Sequence, residues 1–198
     1  MNQKRITING RSCEFQEGET ILSVAARHNI DIPTLCHLKG TTPTGNCRIC
    51  VVEVQGKNEL VTSCSTPAEN QMFIRTESPK VVASRKATLE FMLSSGNHNC
   101  AIGSSKEEAW TEFQLATLNN DQNEDLCPAW GDCELQNLAY RYQVKGRRNA
   151  EPQPAITLPI ERDNPFILRD STRCILCGRC VAACNEVQVN KAIEFGYL

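Results

Sequence analysis

The 198-residue sequence has few of the side chains that usually fill a large apolar core. Its aromatic residues are two Trp, three Tyr and six Phe. No apolar run approaches the ~18 residues that a membrane-spanning helix needs, and the first twelve residues lack the apolar stretch of a secretory signal. We therefore expect a cytoplasmic protein without a membrane span, stabilised by something besides apolar packing.

The sequence also lacks an excess of either charge sign and several chemical motifs. The 21 Lys and Arg residues nearly balance the 23 Asp and Glu residues, which leaves a formal net charge of −2. This balance gives no electrostatic reason to expect a nucleic-acid partner. The chain also lacks a glycine-rich dinucleotide fingerprint, a Walker loop and a Ser/His/Asp arrangement. We therefore predict no catalytic residues and expect no substrate chemistry from this chain alone.

Cysteine, by contrast, is abundant, with twelve residues against three histidines. Such usage indicates either a disulfide framework in a secreted protein or metal ligation in a reducing compartment. Because no secretory signal is present, metal ligation is favoured. Eleven of the twelve cysteines fall into three groups with regular spacing, and Cys13 stands outside them.

Residues 1–78 carry the pattern of a small α+β domain. Alternating apolar and polar residues flank Asn9-Gly10, which is a strong hairpin signal. Thr20 can cap a helix of about two turns that ends near Asn29. Three further strands are predicted, at residues 51–54, 60–63 and 71–76. Four or five strands around one helix are typical of the α+β class.

The remaining residues divide into segments of different character. A helix is predicted over residues 79–94 and a polar, acidic insertion near 104–126. A second helix over 133–144 would place four side chains on one face, Leu135, Leu138, Ala139 and Tyr142. Residues 145–165 hold four of the nine prolines and are predicted to be a linker. Residues 166–198 then form a last, small cysteine-rich unit.

The first cysteine group consists of Cys36, Cys47, Cys50 and Cys64. Three of them lie on the long loop before the strand at 51–54, and Cys64 lies on a separate loop. A [2Fe–2S] cluster needs four thiolates, and a long loop can wrap it while backbone amides point at the sulfurs. Gly45 suits a backbone that approaches a cluster or takes positive φ. The alternative is a four-cysteine zinc site, although such sites usually pair two Cys-x2-Cys knuckles and this group has one.

With this spacing, the stretch PTGNCRICVVEV at residues 43–54 resembles the N-terminal region of the large iron–sulfur subunit of complex I. Related domains occur in [FeFe]-hydrogenases, NAD-linked formate dehydrogenases and the diaphorase part of bidirectional NiFe hydrogenases. The resemblance implies a β-grasp [2Fe–2S] ferredoxin domain over residues 1–78. His37, beside Cys36, is expected to support the site or to lie at the surface rather than to bind iron.

The same resemblance implies a helical [4Fe–4S] domain over residues 79–144, with one histidine and three cysteines as ligands. His98 and Cys100 match the His-x-Cys form of that motif, as in the hydrogenase diaphorase subunits, and Cys127 and Cys133 match its end. Gly103 stands where the family has a further cysteine. We expect an insertion that leaves these four residues as ligands. The alternative is that this site has been lost, with an exposed histidine and a buried thiol.

The third group has the spacing of bacterial-type [4Fe–4S] ferredoxins and consists of Cys174, Cys177, Cys180 and Cys184. In two-cluster ferredoxins the fourth cysteine of such a run binds the other cluster. No second run follows, so Cys184 is assigned to a cluster not encoded here. A partner chain, a nonprotein ligand or a [3Fe–4S] cluster could complete the first three ligands, and a zinc knuckle or free thiols are the alternative. We expect a partial ferredoxin-type unit of a longer protein, with a naturally short subunit as the other possibility.

These groups predict an iron–sulfur protein that relays electrons one at a time inside a larger oxidoreductase. The resemblance implies a flavin- and NAD(P)(H)-binding partner at one end and a hydrogenase or formate dehydrogenase catalytic subunit at the other. Ferredoxin is a further candidate partner. One alternative makes the chain the N-terminal segment of a catalytic [FeFe]-hydrogenase or molybdenum formate dehydrogenase. The alternative from another class is a zinc-stabilised binding module.

Overall fold

The computed structural model describes residues 4–94, 129, 131–144 and 160–196. Three of the four predicted ligands of the second site, His98, Cys100 and Cys127, lie outside these ranges, as does the predicted insertion near 104–126. The chain divides into two units, one of Met1–Arg85 with Cys177–Leu198 and the other of Lys86–Leu176. Among the helices within the described ranges, none has the length and apolar character needed to cross a membrane.

Five strands form a mixed sheet in the first unit, in the order β2-β1-β5-β3-β4. The strands are β1 (Arg5–Ile8), β2 (Arg11–Glu14), β3 (Val51–Val54), β4 (Val61–Thr62) and β5 (Phe73–Arg75). Strands β1 and β5 run parallel, and the other neighbours run antiparallel. All the strands predicted for this region are present, although β4 and β5 are shorter than their predicted ranges.

The β1–β2 hairpin turns at Asn9-Gly10, as predicted. Asn9 has a φ of 50° and Gly10 a φ of 82°, and a two-residue turn of type I′ requires positive φ at both positions. The Asn9 side chain also binds the residue after β5, since its Nδ2 donates to Thr76 Oγ1 at 2.7 Å and its Oδ1 accepts from the Thr76 amide at 2.9 Å. The turn is therefore held by its own backbone and by the neighbouring strand.

Helix α1 (Ile21–Arg27) packs on the sheet of the same unit. Thr20 caps it as predicted, because its Oγ1 accepts a hydrogen bond from the Ser23 amide at 3.2 Å. Side chains of the helix and of four strands share one apolar cluster, which includes Ile6, Ile8, Cys13, Ile21, Leu22, Val24, Ala25, Val52, Val54 and Ile74. One helix packed on a mixed sheet confirms the α+β class for this part of the chain.

Helix α2 (Pro79–Ser94) has the bounds that the sequence predicts. Ser78 Oγ accepts from the Val81 amide at 3.4 Å, and Pro79 occupies the first helical position, where a missing N–H leaves no intrahelical bond unmade. Arg85 lies two turns along and is fully buried. Because the first unit extends to Arg85, it includes the start of this helix as well as the predicted domain over residues 1–78.

The second unit contains helix α3 (Glu134–Arg141) and the hairpin of β6 (Glu161–Asn164) with β7 (Ile167–Arg169). The face of α3 predicted from residue spacing is confirmed, because Leu135, Leu138, Ala139 and Tyr142 are all buried. The hairpin includes residues 165 and 166, where the predicted linker ends and the last cysteine-rich unit begins. Within the described residues 160–196, strand pairing starts at Glu161.

The C-terminal residues of the first unit hold a short helix, α4 (Arg179–Ala182), which continues as a π-helical turn over Ala183–Val187. Gly178 precedes α4 with a φ of 75°, a left-handed conformation that favours glycine. Between residues 177 and 196 every side chain is exposed or half-buried. This stretch therefore contributes little to the apolar core of its unit.

We predict that replacing Gly10 by Ala destabilises the β1–β2 hairpin, because alanine would have to adopt a positive φ. The free energy of unfolding should fall by about 1–2 kcal/mol, measured by urea denaturation of the full chain. Gly196→Ala is the matched control, because Gly196 lies outside the left-handed region and has no atom within 4 Å of its β-carbon position. Equal losses in both variants would contradict a specific requirement for the left-handed turn.

Candidate iron–sulfur centre

The four cysteines of the first group are buried around the start of β3 and the end of β4. Cys36 lies on the loop after α1, Cys47 and Cys50 precede β3, and Cys64 follows β4. None of the four is more than 7% exposed. Because β3 and β4 are antiparallel neighbours, the start of one strand lies beside the end of the other. Strand pairing thus brings Cys64 to the long loop that carries the other three.

The four thiols lie as two pairs. Cys50 Sγ is 3.3 Å from Cys64 Sγ. In the other pair, the Cys36 amide donates to Cys47 Sγ at 3.4 Å, and the two thiols share a hydrogen bond. A [2Fe–2S] cluster has two irons and four protein ligands, two for each iron. The chemistry and the pairing of these buried thiols therefore fit a [2Fe–2S] cluster.

A single zinc ion would need a different arrangement. Structural zinc sites bring four ligand atoms around one metal position. Among the described residues, no three side chains of His, Cys, Asp or Glu converge on one such position. The two thiol pairs of the first group agree with two metal positions, and the four-cysteine zinc site stays the alternative.

The backbone of the cysteine loop directs N–H groups at Cys47. Burial raises the pKa of the Cys47 thiol, while the amides of Ile49, Cys36 and Leu35 act in the opposite direction. Gly45 and Arg48 on the same loop have φ values of 66° and 57°. Such left-handed residues let successive amides face one side of a loop, where they stabilise negative charge. The loop is therefore built to receive an anionic sulfur.

In the Cys50–Cys64 pair, the Cys50 thiol loses its proton more readily than the Cys64 thiol does. The neighbouring Cys64 thiol lowers the pKa of Cys50 to about 6, against the effect of burial, and the Ser63 hydroxyl also lowers it. The pKa of Cys64 is raised, first by its hydrogen bond with Cys50 and then by burial. Removing the second proton therefore requires positive charge nearby, which metal binding supplies. The pair is suited to share a metal rather than to remain as two thiolates.

Arg85 lies outside the three cysteine groups and holds the cysteine loop to α2. Its Nε donates to the carbonyl oxygen of Ile49 at 2.8 Å and its Nη2 to that of Val51 at 2.9 Å. Its Nη1 donates to Glu77 Oε1 at 2.8 Å. Ile49 and Val51 flank Cys50, so one guanidinium group fixes the backbone on both sides of this thiol.

A weak signal for Arg85 does exist in the sequence. Val81 and Leu89 are buried on α2, and Arg85 lies four residues from each of them. Residues at this spacing share one face of a helix. A charged residue at the centre of an apolar face needs buried partners, and here those partners are loop carbonyls and a carboxylate.

Two residues near the first group take no part in the pairs. Cys13 lies on β2 within the apolar core, and its thiol donates to the Arg11 carbonyl oxygen at 3.5 Å. His37 is half-buried beside Cys36. Burial lowers the pKa of His37, and the positive charge of Arg179 lowers it further. Neither residue therefore belongs to the two thiol pairs.

For the second and third cysteine groups, the assignment of each residue as a cluster ligand remains a prediction. Of the second group, only Cys133 is described, and it is half-buried directly before α3. In the third group, Cys174 Sγ accepts from the Leu176 amide at 3.4 Å and Cys184 Sγ accepts from the Ala192 amide at 3.3 Å. Amide hydrogen bonds to sulfur are a usual feature of iron–sulfur sites. Cys177 is half-buried and Cys180 is exposed.

The sequence of the first unit matches a known family. Residues 2–79 match the model of a 2Fe-2S iron-sulfur cluster binding domain. This part of the chain is a [2Fe–2S] domain. The match covers the mixed sheet, α1 and all four cysteines of the first group. It therefore confirms the predicted [2Fe–2S] cofactor, whereas the predicted [4Fe–4S] clusters lie beyond the matched residues.

Relatives of the whole chain are redox proteins. The chain is 34% identical over 194 residues to "NADP-reducing hydrogenase subunit HndD" of Solidesulfovibrio fructosivorans, an alignment that covers 95% of this chain and 28% of the relative. It is 31% identical over 183 residues to an NADH-quinone oxidoreductase subunit of Rhizobium meliloti, with 92% of this chain and 19% of the relative covered. The chain thus spans about a quarter of the length of the first relative and about a fifth of the second.

A solved structure of a hydrogenase has the same fold. A chain of the NAD+-reducing [NiFe]-hydrogenase in the H2-reduced state superposes with a TM-score of 0.79 and 28% sequence identity. The superposition covers 100% of this chain and 72% of that one. Together with the sequence relatives, it confirms the predicted resemblance to the iron–sulfur electron-transfer subunits of hydrogenases and complex I. None of these three relatives is a formate dehydrogenase, so that part of the resemblance stays a prediction.

We predict that Cys50→Ser removes most of the [2Fe–2S] cluster, because serine replaces one thiolate of a buried pair. The measurement is the [2Fe–2S] EPR signal per chain after anaerobic reconstitution and reduction. Cys13→Ala is the matched control, since Cys13 is also a buried cysteine of this domain but belongs to its core. It should keep the cluster and lose about 1 kcal/mol of stability. Loss of the cluster in Cys13→Ala alone would contradict the assignment.

We predict that Arg85→Met lowers the free energy of unfolding by about 3 kcal/mol, because it removes the guanidinium donor of two buried carbonyl groups and the ion pair with Glu77. The [2Fe–2S] cluster should also be released faster during incubation with an iron chelator. Arg75→Met is the control, because Arg75 is an exposed arginine on β5. If both variants retained the cluster equally long, Arg85 would not stabilise the loop around Cys50.

Proposed function

We propose that this chain is an electron-transfer part of an NAD(P)-linked oxidoreductase, with its [2Fe–2S] cluster bound by Cys36, Cys47, Cys50 and Cys64. The observation that carries the proposal is the arrangement of these four buried thiols as two pairs. A bound cluster supplies a centre that gains and loses one electron at a time. The sequence motifs include no arrangement of catalytic residues. Relay of electrons is therefore the activity that the site supports best.

The residues around the thiols have separate tasks in this proposal. Burial of all four sulfurs excludes water from the site. Amides of the loop stabilise the negative charge on Cys47, and the pairing of β3 with β4 keeps Cys64 beside Cys50. Arg85 holds the loop backbone on both sides of Cys50. Together these interactions keep the ligands in place while the charge of the centre changes, which keeps the reorganisation of the protein small.

We further propose that two [4Fe–4S] sites extend the relay. The ligands of one are His98, Cys100, Cys127 and Cys133, and those of the other are Cys174, Cys177 and Cys180, with Cys184 assigned to a further cluster. A contact within the first unit joins the segment that carries Cys177, Cys180 and Cys184 to the cysteine loop of the [2Fe–2S] site. The Thr42 amide, on the loop between Cys36 and Cys47, donates to Glu186 Oε2 at 2.7 Å, and Glu186 lies two residues after Cys184.

The partners follow from the relatives. The names of two of them, an NADP-reducing hydrogenase subunit and an NADH-quinone oxidoreductase subunit, support a flavin- and NAD(P)(H)-binding partner subunit. The hydrogenase relatives support a hydrogenase catalytic unit at the other end. A formate dehydrogenase unit rests on sequence resemblance alone. A cytoplasmic location is part of the proposal, because thiolate ligands stay reduced in that compartment.

The proposal predicts a brown protein that contains iron and sulfide when it is purified without oxygen. The chain, reduced with dithionite and then freed of it, should transfer electrons to oxidised cytochrome c in a stopped-flow experiment. Loss of the [2Fe–2S] signal should accompany this transfer. Cys50→Ser should lack the [2Fe–2S] phase, whereas Cys13→Ala should retain it. A colourless protein that binds zinc instead of iron would support the zinc-stabilised module and exclude the relay.

A further inference from the structure

Ser63 has a buried hydroxyl group for which none of the hydrogen-bond distances given above supplies a partner. Its side chain is 0% exposed. Among the described residues, its Oγ has no hydrogen-bond partner. Leaving a buried hydroxyl without a partner costs about 1–3 kcal/mol, and such groups in native proteins mark stored strain, a redox or catalytic role, or a bound water or ion. An alanine would fill this place without that cost, so the hydroxyl indicates a missing acceptor.

The amide and the carbonyl oxygen of Ser63 both have backbone hydrogen-bond partners. Its amide donates to the Cys50 carbonyl oxygen at 3.1 Å, and its carbonyl oxygen accepts from the Leu22 amide at 2.9 Å. These bonds fix Ser63 between the cysteine loop and α1. The unused hydrogen-bonding capacity is therefore confined to the side chain.

A backbone hydrogen bond places Ser63 beside Cys50. Strand pairing joins Val51 to Thr62 and Val52 to Val61, and β4 ends at Thr62. One step further along the chain, the Ser63 amide donates to the Cys50 carbonyl oxygen at 3.1 Å. Ser63 also directly precedes Cys64, whose sulfur lies 3.3 Å from that of Cys50. The buried Ser63 side chain therefore stands on a residue that is joined to both cysteines of this pair.

We infer that the Ser63 hydroxyl donates a hydrogen bond to the Cys50 sulfur when this sulfur binds the [2Fe–2S] cluster, and thereby raises the reduction potential of the cluster. The inference rests on the proposed ligand set. A thiolate accepts a hydrogen bond more strongly than a neutral thiol does. Reduction adds negative charge to the centre and its sulfurs, so a donated proton stabilises the reduced state more than the oxidised one. Ser63 thus acts on the cluster through the Cys50 sulfur and makes no bond to iron.

The first test compares Ser63→Ala with wild type in the full chain. Removing the donor should lower the midpoint potential of the [2Fe–2S] cluster, measured by an EPR-monitored redox titration. We expect the reduction equilibrium to change about three- to tenfold, which is about 30–60 mV for one electron. Ser65→Ala is the matched control, because Ser65 flanks Cys64 on its other side, is exposed, and bonds Thr62 Oγ1 at 2.7 Å. It should leave the potential unchanged.

An isosteric pair separates the hydroxyl from the packing. Ser63→Thr and Ser63→Val have the same shape and differ in the presence of the donor. The Thr variant should have the higher potential of the two, by the amount that separates wild type from Ser63→Ala. In D2O, pulsed EPR of the reduced wild type and the Thr variant should show an exchangeable deuteron coupled to the cluster that the Ala and Val variants lack.

Each outcome decides the inference. Equal potentials in the Thr and Val variants, or a wild-type potential in Ser63→Ala, would overturn it. Loss of the cluster in the Ala and Val variants, with retention in the Thr variant, would support a requirement for the hydroxyl. Loss in all three would show that only the size of Ser63 matters and would also overturn it. Absence of a [2Fe–2S] signal in wild type is a different result, because it would refute the proposed cluster site itself.

Discussion

The antiparallel pairing of β3 with β4 is the constraint on which the rest of the site depends. Strand β4 has only two residues, yet its register with β3 brings Cys64 to within 3.3 Å of Cys50, sulfur to sulfur. Just beyond the paired residues, a backbone hydrogen bond holds Ser63 beside Cys50. The Leu22 amide, which bonds the Ser63 carbonyl oxygen, ties this short strand to α1. A strand this short would pair weakly alone, so the packed helix and the loop contacts are needed to hold it.

The charge of Arg85 is compatible with burial because each of its bonds has a defined partner. A lone guanidinium group in an apolar core would be destabilising, but carbonyl oxygens on both sides of Cys50 and the Glu77 carboxylate receive its donors. The arrangement links α2 to the loop that carries most of the thiols. Electron transfer benefits from such rigidity, because a centre that changes charge without moving its ligands has little to reorganise.

Much of the fold could be predicted because its signals are local. Asn9-Gly10 marks the hairpin through backbone conformation, Thr20 marks the start of α1 through its side-chain hydrogen bond, and residue spacing marks the buried face of α3. The bounds of α2 also follow from its sequence. Strands β4 and β5 proved shorter than predicted, because the ends of a strand depend on which neighbours are available to pair. That information lies far away in the sequence.

The features of the site likewise divide into those that local sequence predicts and those that depend on tertiary contacts. Cysteine spacing, which is a property of the sequence, determined the chemistry of the [2Fe–2S] domain and its four thiols, because a loop of given length and ligand type can wrap only certain centres. Only the tertiary structure decided that Cys50 pairs with Cys64 and Cys36 with Cys47. It also decided that Arg85 and Ser63 surround Cys50, since both reach this thiol through contacts between elements distant in sequence. Spacing is encoded residue by residue, whereas burial and register arise only when the sheet, α1 and α2 pack together.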